Sequence, residues 1–362
     1  MTRQSERQMS GAVEKGGRAS RKSATPFFAD QLTMSIDVEK WTYTAPFRIT
    51  GFVRNAIEVI VVSLERDGQV GRGEAAGVRY HDSTVTKMVR QLKAIGPRIA
   101  AGINRDSVQA MLPAGGARNA LDCALWDLEA KVSHRPVWQL AGLERPHSLL
   151  TMYTCGADEP ENMAHQAQLY TNARAIKLKL TGEPSDGERV KRVREARPDV
   201  WLSVDANQGF SRASLSRLMP LLIECRVAII EQPFPAGEEA LLDGFHSPIP
   251  IVADESVQSL LDIPTLVGRF DAINIKLDKC GGFTEGLVMA RAARSAGLKV
   301  MVGNMGGTSL AMAPAFLLGQ ICDFADLDGP LFLDKDRALA ARYSEGFITC
   351  PESLWGYAGE SA

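Results

Sequence analysis

Charged side chains close most of the short apolar runs in the second half of this 362-residue chain, and they are grouped by sign. Lys177 and Lys179 end Ala175-Ile-Lys-Leu-Lys, Asp205 ends Trp201-Leu-Ser-Val-Asp, and Glu231 ends Val227-Ala-Ile-Ile-Glu. Asp254 ends Pro250-Ile-Val-Ala-Asp, Lys276 ends Ala272-Ile-Asn-Ile-Lys, and Asp326 and Asp328 end the last run. One charge at a strand end commonly marks nothing more than the start of a solvated loop. A repeated pattern of lysine, three acids and lysine is hard to explain that way. Carboxylates crowded together repel one another unless a counter-ion is present. Asp205, Glu231 and Asp254 therefore read as an oxygen-only cage for a hard divalent cation, Mg²⁺, which Mn²⁺ can replace. The competing reading is an ion-pair network with the lysines.

The lysines suit proton transfer. Lys177 and Lys179 are separated by one residue on a strand and so share a face. The charge on Lys177 is expected to depress Lys179 towards neutrality and make it a general base. Lys276 falls on the far side of the acids. A substrate carboxylate at the metal would then lie between two amines. One takes the α-proton from one face, and the other returns a proton to the opposite face. The cation stabilises the enediolate between them. This scheme inverts the α-carbon.

Side chains from separate runs meet only if the runs are strands of one sheet. The runs recur about every 25 residues with amphipathic helical stretches such as Glu188–Ala196 and Thr284–Ala296 between them, a pattern of βαβ units. Eight such runs from Thr151 to Asp328 predict a closed (β/α)₈ barrel, which gathers the charged ends at its C-terminal rim. The expected order is an extension at 1–33 without ordered structure, an α+β capping domain at 34–149, the barrel at 150–342 and a C-terminal segment at 343–362 packing back on the capping domain. A helix is expected from Ala117 to Leu140. Ala45–Arg54 and Val78–His81 are expected to be capping loops.

The hydrophobic share is 45%, the charged share 23% and the net charge −2. So small an imbalance gives no reason to expect nucleic acid or a membrane surface as a partner. No apolar run approaches the roughly 18 residues of a membrane span. The six cysteines form no C-x-x-C pair, which points to a reducing cytoplasm. A small-molecule substrate and a homo-oligomer are expected.

Lys177-Leu-Lys179, Val204-Asp205-Ala-Asn207, Ile230-Glu231-Gln-Pro233, Ala253-Asp254-Glu255-Ser256 and Asn274-Ile-Lys276-Leu-Asp278-Lys-Cys-Gly-Gly282 together resemble the muconate-lactonizing-enzyme subgroup of the enolase superfamily. The resemblance covers nearly everything from Met34 onward. It implies a capping domain that closes over the barrel, one Mg²⁺ per subunit on Asp205, Glu231 and Asp254, and Lys179 and Lys276 as the acid/base pair. Asp326-Leu-Asp328-Gly-Pro resembles the D-x-D signature of dipeptide epimerases, in which the two acids hold the substrate ammonium. That implies epimerization of an L-Ala-D/L-Glu-like dipeptide, with Lys177, Asp326, Asp328 and Asn304 at the substrate. Cys280 and Asn304 depart from that family's pattern, which commonly has Thr at the first position and Gly-Cys-Met around the second. Arg48 or Arg54 in the capping loops would pair with an acidic substrate side chain. The alternatives are an N-acylamino-acid racemase acting on a substrate such as N-acetylglutamate, a muconate cycloisomerase, an o-succinylbenzoate synthase, or a barrel that only binds a ligand.

Overall fold

The computed structural model describes residues 32–49, 52–78 and 83–357. Most of the predicted extension, residues 79–82 with most of the expected Val78–His81 loop, and the last five residues lie outside them, as do Thr50, Gly51 and the Arg48 side chain.

Three antiparallel strands come first: β1 (Thr33–Ile49), β2 (Phe52–Arg66) and β3 (Gln69–Ala75). Central strand β2 is buried on both faces. Ile60, Val62 and Leu64 pack with helices α1 (Val85–Ala100), α2 (Arg105–Met111) and α3 (Gly116–Ser133). Ile57 and Val59 meet Leu333, which follows the last barrel strand. One face of the sheet thus belongs to its own domain and the other rests on the barrel. The expected loop at Ala45–Arg54 is instead largely a hairpin, in which Phe47, Arg48 and Ile49 pair with Arg54, Val53 and Phe52.

Helix α3 sits between β3 and the barrel, buried along nearly its whole length. Its close approach depends on Gly71 and Gly73. A β-carbon at Gly71 would lie 2.3 Å from the Ala124 carbonyl, and one at Gly73 would lie 2.1 Å from that of Ala120. The helix does not continue to Leu140 as the apolar spacing predicts. It stops at Ser133, where His134 takes a left-handed φ of 51°, and Pro136 bars its resumption until a short turn at Val137–Leu140.

After β4 (Leu149–Leu150), eight parallel strands follow: β5 (Met152–Cys155), β6 (Ala175–Lys179), β7 (Trp201–Asp205), β8 (Val227–Glu231), β9 (Ile251–Ala253), β10 (Ala272–Lys276), β11 (Lys299–Gly303) and β12 (Phe324–Ala325). They form one sheet in sequence order. It curls into a (β/α)₈ barrel beside the N-terminal α+β domain. The seam between β5 and β12 is closed by side chains: Thr151 Oγ1 accepts from the Leu327 amide at 2.9 Å, and Asp328 Oδ2 accepts from the Thr154 amide at 2.7 Å.

The barrel interior changes character along its axis. Near the N-terminal ends, Met152, Ala175, Trp201, Ile229, Val252, Ala272, Met301 and Phe324, one from each strand, form an apolar plug. The two-residue period of a strand then sends Lys177, Lys179, Asp205, Glu231, Asn274 and Lys276 into the same interior nearer the C-terminal rim. Strand β4 lies outside the barrel and pairs with β14 (Phe347–Thr349), which pairs with β13 (Arg342–Ser344). Trp355 then donates from Nε1 to the Arg72 and Cys123 carbonyls, and the Gly356 amide donates to Asp127, tying the C-terminal segment to β3 and α3.

Candidate active site

Strands β7, β8 and β9 are neighbours, so Asp205, Glu231 and Asp254 come together without distortion. One oxygen from each lies within 4.8 Å of the others, and all three residues are buried. Strands β6 and β10 stand four places apart in the eight-stranded sheet, on opposite sides of the barrel. Lys179 reaches inward from one, with Nζ 2.6 Å from Asp205 Oδ2, and Lys276 from the other, with Nζ 2.6 Å from Asp254 Oδ2. The cage therefore has an amine at each end, as the spacing predicted. Gly303 on β11 gives Lys276 its room: a β-carbon there would lie 3.0 Å from Lys276 Cε and 2.6 Å from Asn274 Oδ1.

Lys177 has a different setting from the expected one. Its ammonium is enclosed by Asp205 at 3.0 Å, Glu231 at 2.7 Å and Asp326 at 2.9 Å. Burial alone would lower its pKa, but these carboxylates outweigh burial and hold it well above the ordinary lysine value. Its charge is balanced where it stands, so it is a counter-ion between the cage and Asp326, not a free like charge pressing on Lys179.

Asp326 and Asp328 also depart from the simple alternation of a strand, because β12 ends at Ala325 and the chain turns into a 3₁₀ segment at Gly329–Phe332. Asp326 points at Lys177 through Oδ2, while its buried Oδ1 has no hydrogen-bond partner among the described residues. Asp328 points into the seam. Burial, then the neighbouring Asp326 charge, push the Asp328 carboxyl up to about 7.

Two contributors were not singled out from the sequence. Asn274 donates to Glu231 Oε1 at 2.9 Å. Its place two residues before Lys276 on one strand face was the available signal. Lys279 donates to Asp254 Oδ1 and to the Asp254 and Asn274 carbonyls at 2.5, 2.5 and 3.2 Å. It lies on the short turn Leu277–Cys280 after β10, where strand periodicity gives no guide.

The donor set fits a divalent cation. Three convergent carboxylates and no soft ligand suit a hard ion. Burial would raise Asp205 and Asp254, but Lys177 and Lys179 hold the first below the usual carboxylate range, and Lys276 and Lys279 hold the second well below it. Glu231 is instead pushed up to about 7, first by burial and then by Asp205. Lysines Lys177, Lys179, Lys276 and Lys279 face carboxylates Asp205, Glu231, Asp254, Glu255, Asp326 and Asp328.

Of the two arginines proposed for specificity, Arg54 hydrogen-bonds Tyr43, and its buried Nε has no partner among the described residues. The Tyr43 hydroxyl lies 3.6 Å from a β-carbon built on Gly306, beyond β11, so this arginine stands on the barrel-facing side of the capping hairpin. Arg48 lies on β1 opposite Val53.

Comparisons with known proteins agree with this architecture. Residues 162–354 match the enolase C-terminal domain-like family. Residues 31–142 match the mandelate racemase / muconate lactonizing enzyme N-terminal domain. The chain is 38% identical over 316 residues to the L-Ala-D/L-Glu epimerase of Escherichia coli (strain K12), covering 87% of this chain and 98% of that protein. It is 37% identical over 306 residues to the N-acetyl-D-glutamate racemase of a Pseudoalteromonas species, covering 84% and 96%. The structure of the dipeptide epimerase from Methylococcus capsulatus, complexed with Mg and L-Arg-D-Lys, superposes with a TM-score of 0.83 at 30% identity, covering 92% and 99%. Two domain matches, the relatives' nearly full-length coverage and the shared fold lead to one conclusion: the chain belongs to the mandelate racemase / muconate lactonizing enzyme family of the enolase superfamily.

Proposed function

We propose that this protein is an isomerase that inverts the α-carbon beside the carboxylate of an L-Ala-D/L-Glu-like dipeptide by two-base 1,1-proton transfer. The observation that carries the proposal is the pair Lys179 and Lys276, on opposite strands, with the acid cage between them. The lysine that is neutral takes the α-proton, and the C–H electron pair moves into the carboxylate to give an enediolate. The ammonium of the other lysine delivers a proton to the opposite face. The two lysines thereby exchange protonation states, and exchange with solvent or the reverse reaction resets them. Mg²⁺ held by Asp205, Glu231 and Asp254, or Mn²⁺ in its place, would supply positive charge to the carboxylate as negative charge builds on it.

The preference for a dipeptide rests on Asp326, whose buried, unpartnered Oδ1 suits a substrate ammonium. Asp328 adds a second acid beside it, and Lys177 holds Asp326 in place. Arg54, with Arg48 from the same hairpin, would meet an acidic side chain. All six cysteines stand free, in keeping with a cytoplasmic enzyme. The likeness to an N-acetyl-D-glutamate racemase favours a second reading, racemization of an N-acyl amino acid.

The test is incubation with Mg²⁺ and L-Ala-L-Glu in D₂O, followed by mass spectrometry and chiral analysis. Deuterium should enter one α-carbon as its configuration scrambles, and a chelator should stop both. Incorporation into N-acetylglutamate but into no dipeptide moves the assignment to the racemase. No incorporation into either rejects the proposal.

A further inference from the structure

Strand β12 is too short to hold its own C-terminal end. The last ladder bond from this segment to β11 is donated by the Asp326 amide to the Val302 carbonyl at 2.8 Å. In a longer strand the Asp326 carbonyl would next accept an amide from the neighbouring chain. The Asn304 side chain fills that role: its Nδ2 donates to the Asp326 carbonyl at 2.7 Å and approaches Asp328 Oδ1 at 3.5 Å. Asn304 Oδ1 accepts the Gly306 amide at 2.7 Å, which folds the loop after β11 back on itself. The far end of this loop is fixed by the capping sheet. The Thr308 amide donates to Glu74 Oε1 at 2.7 Å, and the Thr308 hydroxyl donates to the same carboxylate. Gly307, at φ 116°, leaves room for Glu74, since a β-carbon there would lie 2.7 Å from Oε1.

Both polar atoms of the Asn304 side chain are therefore engaged with protein. Two of its three contacts fall on the pair of acids at the ammonium site, whose carboxylates are also held by Lys177 on Asp326 and by the Thr154 amide on Asp328. We infer that Asn304 is a positioning residue that fixes Asp326 and Asp328 for a substrate ammonium, and that it does not itself bind the substrate. It also ties that subsite to the capping domain through Glu74. The inference rests on the dipeptide reading above.

Two variants test it. Asn304→Leu keeps the branching of the side chain and removes all three contacts. Asn304→Ser adds no charge, keeps a short acceptor that can take the Gly306 amide two residues on, and removes the amide donor facing the acids. Steady-state epimerization of L-Ala-L-Glu is measured for each, with the melting temperature recorded alongside. Both variants should raise KM about tenfold, the cost of a slackened charge-assisted contact, while kcat stays within about twofold. An unchanged or lowered KM in Asn304→Ser overturns the inference. So does a fall in kcat at constant KM, which would mark a role in the proton-transfer step. If Asn304→Leu fails to fold, Asn304→Ser decides alone. Absence of turnover by the unaltered enzyme with any dipeptide is a separate result, one that removes the dipeptide reading and this inference with it.

Discussion

Four buried or nearly buried lysines share this barrel, yet their contacts assign them different work. Lys177 and Lys279 are each held by three acceptors, while Lys179 and Lys276 stand at opposite ends of the cage, against Asp205 and Asp254. An amine locked by three acceptors is a poor proton carrier, which is why the proposed two-base scheme is assigned to Lys179 and Lys276. Replacing either with Ala should lower epimerization by at least about 10²-fold, the scale of general acid–base catalysis. If one variant still exchanges the α-proton with D₂O from its own face, the two lysines act independently. Full turnover in either variant contradicts the scheme. Asp326→Asn should raise KM for free-amine dipeptides by about ten- to a hundredfold, since a charge-assisted bond of roughly 1.5–3 kcal/mol is lost. An unchanged KM would mean that the ammonium is held elsewhere. Lys179, Lys276 and the three cage acids were legible because a strand fixes which face a side chain takes. The setting of Lys177 was not legible, because the Asp326 that faces it lies 149 residues further along the chain.

Secondary-structure elements were read well where pattern alone decides them. The strands Ala175–Lys179, Trp201–Asp205, Val227–Glu231 and Ala272–Lys276 have the bounds expected from their alternation and charged ends. The hairpin of β1 and β2 was read as a loop at its tip, because its residues carry no clean alternation and their extended form depends on pairing with each other. The contact between α3 and β3 was equally hidden: Gly71 and Gly73 look like turn residues until a helix is seen lying on them. Gly73→Ala should destabilise the protein by at least about 2 kcal/mol, since the new methyl group meets backbone and no mobile side chain. Thermal unfolding measures this, and an unchanged melting temperature would show that α3 can move away freely.

At the scale of the whole molecule, buried polar contacts join the capping domain to the barrel. Arg118 on α3 donates to the Cys280 and Gly281 carbonyls, and Asp122 accepts from Thr284. Arg337 pairs with Glu39 and Glu74, and Asp278 Oδ1 accepts the Ala76 and Gly77 amides. Burial pushes the Asp278 carboxyl up from 3.8 to about 6. An acid raised in this way holds its proton more tightly folded than unfolded, so its contribution to stability declines as pH climbs from about 4 to 6 and stays low above that. Asn at this position keeps an oxygen for the two amides and cannot ionise. Asp278→Asn should therefore gain melting temperature relative to the parent as pH rises from 4 to 7, and a flat or declining difference would contradict the assignment. The same contacts mark the limit of sequence reading. Composition, the two-residue period and the recurrence of charged strand ends determined the barrel, the cage and the opposed lysines, since those depend on local periodicity and strand order. Which acid neutralises Lys177, how Asp328 closes the seam and how the capping domain seats on the barrel depend on side chains more than a hundred residues apart. Their meeting is decided by three-dimensional packing, which no local pattern encodes.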